Sequence, residues 1–288
     1  CGKVHECPQC QLSYTYHHDK QFRCHRCFTI QHMTHKCQSC NKERLAYAGV
    51  GIQKVETECK ILFPTATLYR LDKDTAKTYK EVTKILNNFK DNGDIMLGTQ
   101  MIAKGHHIES VTLVGVLGVD NGLNIPDFRA PERTFQLITQ VAGRSGRGSI
   151  PGEVIVQTNQ PDHYAIQHAK GHDFPGFNDQ ELAFRKQLWY PPYCELINII
   201  LSSQDEKQII NYAKKLGPFL NQATKDYQVK IHGPKPAPIE KIQRYFRWNV
   251  LIKCHQKDSQ SIKGALQKIP KHTQELRVIY DFDPRAIL

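Results

Sequence analysis

Seven of the ten cysteines in this chain fall within its first 40 residues, and six of them stand in C-x-x-C pairs: Cys7 with Cys10, Cys24 with Cys27, Cys37 with Cys40. Two intervening residues let one tight turn present both sulfurs to a single tetrahedral ion. The first two pairs therefore make a complete four-thiolate set. The third pair has only Cys1 for company, one ligand short. The pattern predicts a further cysteine upstream of Cys1, in a longer protein from which this chain is a piece; His5, His25 and His35 are the alternative fourth donors. Two nested zinc sites are expected, an inner one (Cys7, Cys10, Cys24, Cys27) and an outer one (Cys1, Cys37, Cys40). Closed all-thiolate sites are structural rather than catalytic, and they suit a segment with almost no apolar core of its own. A disulfide framework would call for a secretory context, and no basic segment leading into an apolar one stands at the N-terminus. Cys59, Cys194 and Cys254 are scattered and read as ordinary residues.

A second group sits in TQVAGRSGRG, Thr139 to Gly148. Arg144 and Arg147 lie three residues apart among glycines that let the backbone come close, which suits a phosphate accepting paired N–H donors. Yet nothing in the chain reads G-x-x-x-x-G-K-[ST], the loop that cradles a nucleotide phosphate. Either these arginines have no nucleotide to serve or protein outside this chain holds it.

The elements that must position these groups alternate. Ile52, Val55, Cys59 and Leu62 recur at helical spacing, as do Val82, Ile85, Leu86 and Phe89 within Tyr79–Asn92. Ala66–Leu71, Asp94–Gly98, Val111–Val119 and Glu153–Thr158 are apolar runs of strand length. Strands alternating with helices indicate an α/β fold with a mostly parallel sheet, whose functional loops lie beyond the strands' carboxyl ends. The 288 residues suit about two domains, and 40% hydrophobic with 23% charged content argues against disorder. No run approaches the roughly 20 apolar residues of a membrane span.

The net charge of +11 is unevenly placed. Residues 48–185 carry 15 Lys/Arg against 16 Asp/Glu, whereas residues 186–288 carry 17 against 9. That basic end favours a polyanionic partner, or is simply a solvated lysine-rich surface. Its elements read as strand (Cys194–Ser203), helix (Glu206–Ala223), strand (Tyr227–Ile231), strand (Phe246–Cys254), helix (Ser259–Lys268) and strand (Glu275–Asp281). This is the βαββαβ order of a ferredoxin-like unit. Between its second and third strands, GPKPAPIEKIQRYFRW combines an expected proline-stiffened turn with Arg244, Tyr245, Arg247 and Trp248. The arginines suit phosphates, and the aromatic rings suit either unpaired bases or a place in the core or at a domain interface.

Two longer stretches carry a resemblance. GTQMIAKGHHIESVTLVGVLGVD, Gly98–Asp120, and DFRAPERTFQLITQVAGRSGRG, Asp127–Gly148, resemble motifs V and VI of superfamily 2 helicases, most closely those of the bacterial primosomal replication-restart helicases. GIQKVE at Gly51–Glu56, WYPPY at Trp189–Tyr193 and DFDP at Asp281–Pro284 are similar to the same family. The resemblance implies a double zinc-binding module (1–47), a RecA-like second helicase lobe (48–188) and a small α+β C-terminal domain binding DNA and partners (189–288). It implies that Arg144 and Arg147, with Gln140 alongside, face the γ-phosphate of ATP and its magnesium, held largely by a first lobe outside this chain. Thr99, Gln100 and Lys104 would meet the DNA backbone, and Arg244 and Arg247 would add contacts from the C-terminal domain. The implied activity is ATP-driven 3′→5′ unwinding at stalled or branched forks in the bacterial cytoplasm, at the nucleoid. The implied partners are forked and single-stranded DNA, the tail of the single-stranded-DNA-binding protein and other primosome proteins. Without the first lobe this chain alone is expected not to hydrolyse ATP. The competing readings are a non-enzymatic zinc-ribbon adaptor, which leaves Gln140, Arg144 and Arg147 without a purpose, and a different superfamily 2 motor, against which the cysteine pairs argue.

Overall fold

The computed structural model describes residues 5, 7, 8, 14–16, 21–24, 28–32, 36, 37, 40–43, 51–72, 74–99, 102, 108, 110–143, 152–269 and 273–287. Cys1, Cys10, Cys27, Gln100, Lys104, Arg144 and Arg147 lie outside the described residues. The chain divides into two compact units. One gathers Cys1–Val4, His35–Leu123 and Pro131–Phe177; the other gathers His5–Thr34, Asn124–Ala130 and Asn178–Leu288.

In the first unit, helices α1 (Ile52–Leu62) and α2 (Tyr79–Asn92) form where the apolar spacing predicts them. The start of α2 is set by a capping box. The Thr78 hydroxyl accepts from the Glu81 amide, and the Glu81 carboxylate accepts from the amides of Thr78 and Lys77 at 2.9 and 2.8 Å. These donors hold the Glu81 carboxyl below its usual range. Leu86 and Phe89 are buried from the helix's apolar face. Strands β4 (Leu68–Leu71) and β5 (Ile95–Gly98) flank α2 in the chain and pair in parallel, a crossover that requires an intervening element. β6 (Leu113–Val116) and β7 (Glu153–Val156) pair in parallel too.

The run Val111–Val119 yields only the four residues of β6. Gly118 adopts φ 62°, a left-handed backbone that no extended strand contains, so the last apolar residues turn away. They lead into the short helix α3 (Asp120–Leu123); α4 (Ala130–Ala142), α5 (Tyr164–Lys170) and α6 (Phe174–Leu188) follow in the chain, with Ala130 and the part of α6 from Asn178 counted in the second unit. Asp120, only 7% exposed, ties two of these loops together. Its carboxylate accepts from the Thr158 hydroxyl at 2.6 Å and from the amide and side chain of Asn159 at 2.9 and 3.1 Å. Both loops follow carboxyl ends of parallel strands, where α/β proteins place their chemistry.

The second unit begins with a small antiparallel sheet, β1 (Thr15–Tyr16), β2 (Gln21–Arg23) and β3 (Ile30–His32). Its larger part is a sheet of β8 (Glu195–Ser203), β9 (Val229–Ile242), β10 (Tyr245–Cys254) and β11 (Arg277–Phe282), in the order β11-β8-β10-β9 and antiparallel throughout. Helices α7 (Glu206–Ala223) and α8 (Gln256–Leu266) complete the βαββαβ order. Ile209, Tyr212, Leu216 and Leu220 of α7 and Ile262 and Leu266 of α8 bury against Ile197, Ile199, Leu201, Val250 and Ile252.

The proline-rich segment after His232 is not the stiff turn expected. It continues β9, paired with β10 through two register shifts. β9 is an edge strand, and Pro236 and Pro238 stand two residues apart, so their missing N–H groups fall on one side of the strand. An edge strand tolerates that on its unpaired side. Among the described residues no helix is long and apolar enough to cross a membrane.

Candidate functional site

The cysteine turns come first. Cys7 and Cys24 are fully buried and share a small core with Tyr14 and Phe22. Around Cys24, its amide donates to the Thr29 carbonyl at 2.9 Å, and the Phe28 amide donates back to the Cys24 carbonyl at 2.8 Å. Around Cys37 the pattern repeats: its amide donates to the Lys42 carbonyl at 3.0 Å, and the Asn41 amide donates back to Cys37 at 2.8 Å. Phe28 and Asn41, each four residues after the first cysteine of its pair, have φ 66° and 56°. Asparagine tolerates this left-handed backbone; a phenylalanine there is uncommon. The described residues of these two segments thus share a pair of hydrogen bonds and a left-handed residue at the same place after the first cysteine, which fits paired cysteines serving as donors to tetrahedral zinc. Cys37 and Cys40 are half-buried. Among the described residues no group of three or more metal-ligating side chains is assembled, since Cys1, Cys10 and Cys27 fall outside them. His5, one alternative donor, packs its ring against Tyr14 and Phe22 at 5.2 and 4.6 Å.

Of the remaining cysteines, Cys59 is half-buried on α1, while Cys194 and Cys254 behave as ordinary buried residues. Burial pushes the Cys194 thiol up to about 12 and the Cys254 thiol up to about 11, leaving both protonated and inert.

The nucleic-acid candidates divide. Arg244 is exposed at the β9–β10 turn, beside Gln243 at φ 56°. Arg247 is half-buried, and desolvation lowers its pKa. Tyr245 is 40% exposed, and the Lys241 ammonium lies 4.2 Å from the centroid of Phe246. Trp248 faces inward instead: it packs on the α7 side of the sheet, and its Nε1 donates to Glu206 at 3.2 Å. Of the two roles its type allowed, the core has it. Thr99 is exposed just after β5, and Gln140 is exposed in the last turn of α4.

Several residues with no signal in the sequence converge on the other face of the four-stranded sheet. Phe28, Asn198, His232, Lys235, Asn249 and Leu251 line a small cavity. Phe28 stacks on His232 at 3.9 Å, and the Lys235 ammonium lies 3.5 Å from the Phe28 centroid. Asn198 Nδ2, His232 Nε2 and Asn249 Oδ1 are buried there without a hydrogen-bond partner. Burial, reinforced by Lys253, Lys235 and Lys230, pushes the His232 imidazole down to about 3. It is therefore neutral when folded, while its unfolded counterpart takes up a proton near the ordinary 6.5. The unfolded chain binds more protons below that value, so stability falls as pH drops from about 6.5 toward 3. His232→Phe is expected to lose less stability across this window in urea titrations at successive pH values. Equal acid losses in both proteins would refute the assignment.

Comparison with known proteins follows these features along the chain. Residues 186–285 match the family described as Primosomal protein N C-terminal domain. The chain is 41% identical over 274 residues to the replication restart protein PriA of Bacillus subtilis, an alignment covering 94% of this chain and 34% of that protein. It is 38% identical over 259 residues to PriA of Synechocystis, covering 88% of this chain and 31% of the relative. With PriA of Chlamydia trachomatis the identity is 37% over 290 residues, 99% of this chain and 38% of the relative. The chain thus spans about a third of the length of the relatives it matches. The βαββαβ sheet and its helices lie within the matched C-terminal domain, and the relatives extend the match across the cysteine pairs and the α/β unit. Along nearly its whole length the chain is similar to PriA replication restart proteins, and its residues 186–285 match the family of that protein's C-terminal domain.

Proposed function

We propose that this chain is the C-terminal part of an ATP-dependent 3′→5′ DNA helicase that recognises stalled or branched replication forks and restarts replication. The observation that carries the reading is the 41% identity to a replication restart protein, sustained over 94% of the chain. In this reading residues 48–188 are a RecA-like second lobe. Arg144 and Arg147 face the γ-phosphate with Gln140 alongside, and ATP and magnesium are held mainly by a first lobe of the longer protein. Thr99, Gln100 and Lys104 touch the DNA backbone, and Arg244 and Arg247 add contacts from the basic C-terminal domain.

The cysteine pairs hold two structural zinc ions, and the repeated turn geometry at Cys24 and Cys37 supports this. The thiolates of these pairs would hold the ions, which would cross-link the turns and take no part in hydrolysis. Forked and single-stranded DNA, the tail of the single-stranded-DNA-binding protein and other primosome proteins are the proposed partners, in the bacterial cytoplasm at the nucleoid.

The test is ATP hydrolysis and strand displacement by the full-length protein, with and without forked DNA, beside this chain alone. DNA-stimulated hydrolysis is expected only in the full-length protein. Its absence there would sink the helicase reading. Hydrolysis by this chain alone would overturn the proposed division of labour between two lobes.

A further inference from the structure

Three stretches that serve in the sequence only as marks of a family meet at one place within the second unit: DFRA at Asp127–Ala130, WYPPY at Trp189–Tyr193 and DFDP at Asp281–Pro284. Phe128 and Tyr190 are both fully buried, and their rings stack at 4.6 Å and 14°. Cations close the stack on both sides. The guanidinium groups of Arg129 and Arg185 lie 4.5 and 5.2 Å from the Phe128 centroid, and the Lys253 ammonium lies 3.3 Å from that of Tyr190. A cation over an aromatic face gains most where water is excluded, and Lys253 is only 2% exposed.

The flanking polar groups are anchored as well. Arg129 Nη1 donates to the Pro284 carbonyl at 2.8 Å, Lys253 Nζ donates to the Leu188 carbonyl at 2.9 Å, and the Arg129 amide donates to Asp127 at 2.9 Å. Four separate chain segments are locked by one ladder of two rings and three cations.

The position of this ladder in the chain is its significance. Residue 130, directly after the Phe128–Arg129 pair, opens α4, whose last turn carries Gln140 and whose chain runs on to Arg144 and Arg147. At the other end, Lys253 stands on β10, the strand that also carries Arg247. Buried aromatic and charged groups of this kind have few alternative arrangements, because close packing leaves no room for gradual adjustment. We propose that Tyr190 is a positioning residue. It holds Asp127–Ala130, the segment from which α4 continues in the chain, against the C-terminal sheet, so that DNA engaging β10 is felt at the segment that leads along the chain toward Arg144 and Arg147. This rests on the helicase reading above.

Two measurements test it, with Tyr190→Leu removing the ring and Tyr190→Phe retaining it. In the full-length protein, Tyr190→Leu is expected to bind forked DNA and to hydrolyse ATP without DNA as the wild type does. Its stimulation by DNA is expected to fall about ten-fold, within the range of typical coupling between sites. Tyr190→Phe is expected to keep the stimulation. Wild-type stimulation in Tyr190→Leu overturns the proposal; so does a joint loss of DNA binding and DNA-free hydrolysis, which would make Tyr190 a residue of the fold alone. In this chain by itself, the amide hydrogens of Ala130 and Thr134–Gln136 are expected to exchange faster in Tyr190→Leu than in Tyr190→Phe, and equal rates overturn the clamp. A wild type without DNA-stimulated hydrolysis would sink the helicase reading, while the exchange rates would still judge the clamp.

Discussion

Arg147→Ala in the full-length protein is expected to lower DNA-stimulated ATP hydrolysis by about 10³–10⁵-fold, the range for removing an arginine finger, with fork binding retained. The physical reason is differential. Charge spreads onto the γ-phosphate oxygens as the phosphoryl group transfers, and a planar guanidinium offers paired donors where that charge develops. The ground state gains less, so turnover should fall while nucleotide affinity changes little. Arg147→Lys is expected to recover only part of the rate, because an ammonium is a compact point charge without the fork. Both arginines follow α4 in the chain, which ends at Ala142 with the Gly143 amide donating to the Thr139 carbonyl. Turnover is measured by phosphate release at saturating ATP and forked DNA. An unchanged rate would remove Arg147 from the nucleotide site.

The second large effect concerns the cysteine turns. Cys24→Ser is expected to remove one zinc equivalent from the chain and to unfold the segment carrying β1, β2 and β3. Those strands are two or three residues long, and among the described residues their shared core holds four buried side chains, Cys7, Tyr14, Phe22 and Cys24. So small a core cannot offset the conformational entropy of ordering the segment. Structural zinc contributes roughly 10–16 kcal/mol of apparent binding free energy in small domains, comparable with the whole stability of an ordinary domain. Metal content by atomic spectroscopy, with amide exchange over residues 21–32, reads both consequences. Cys194→Ser, a buried thiol away from the pairs, is the control and should leave zinc unchanged. Wild-type zinc content in Cys24→Ser would sink the inner site.

The cysteine spacing and the helices were legible in the chain because their causes are local. α2 and α7 span the residues read as helix in the sequence, α2 on its apolar periodicity, since a helix's hydrogen bonds and caps lie within a few positions of one another. The βαββαβ order of the C-terminal domain was legible for the same reason, element by element.

What only the tertiary structure decided depends on partners distant in sequence. The segment after His232 became strand because β10 supplied its ladder on one side while its prolines faced the unpaired edge. Trp248, equally suited to core or base, was drawn inward by Glu206 and the α7 core. Phe128, Tyr190 and Lys253 carry no pattern that joins them, being separated by roughly 60 residues at each step, a distance at which no local periodicity acts. Their meeting, like that of Phe28 with His232, follows from how the sheet's second face is covered. Sequence determined which elements form; the burial of that face determined which side chains came together.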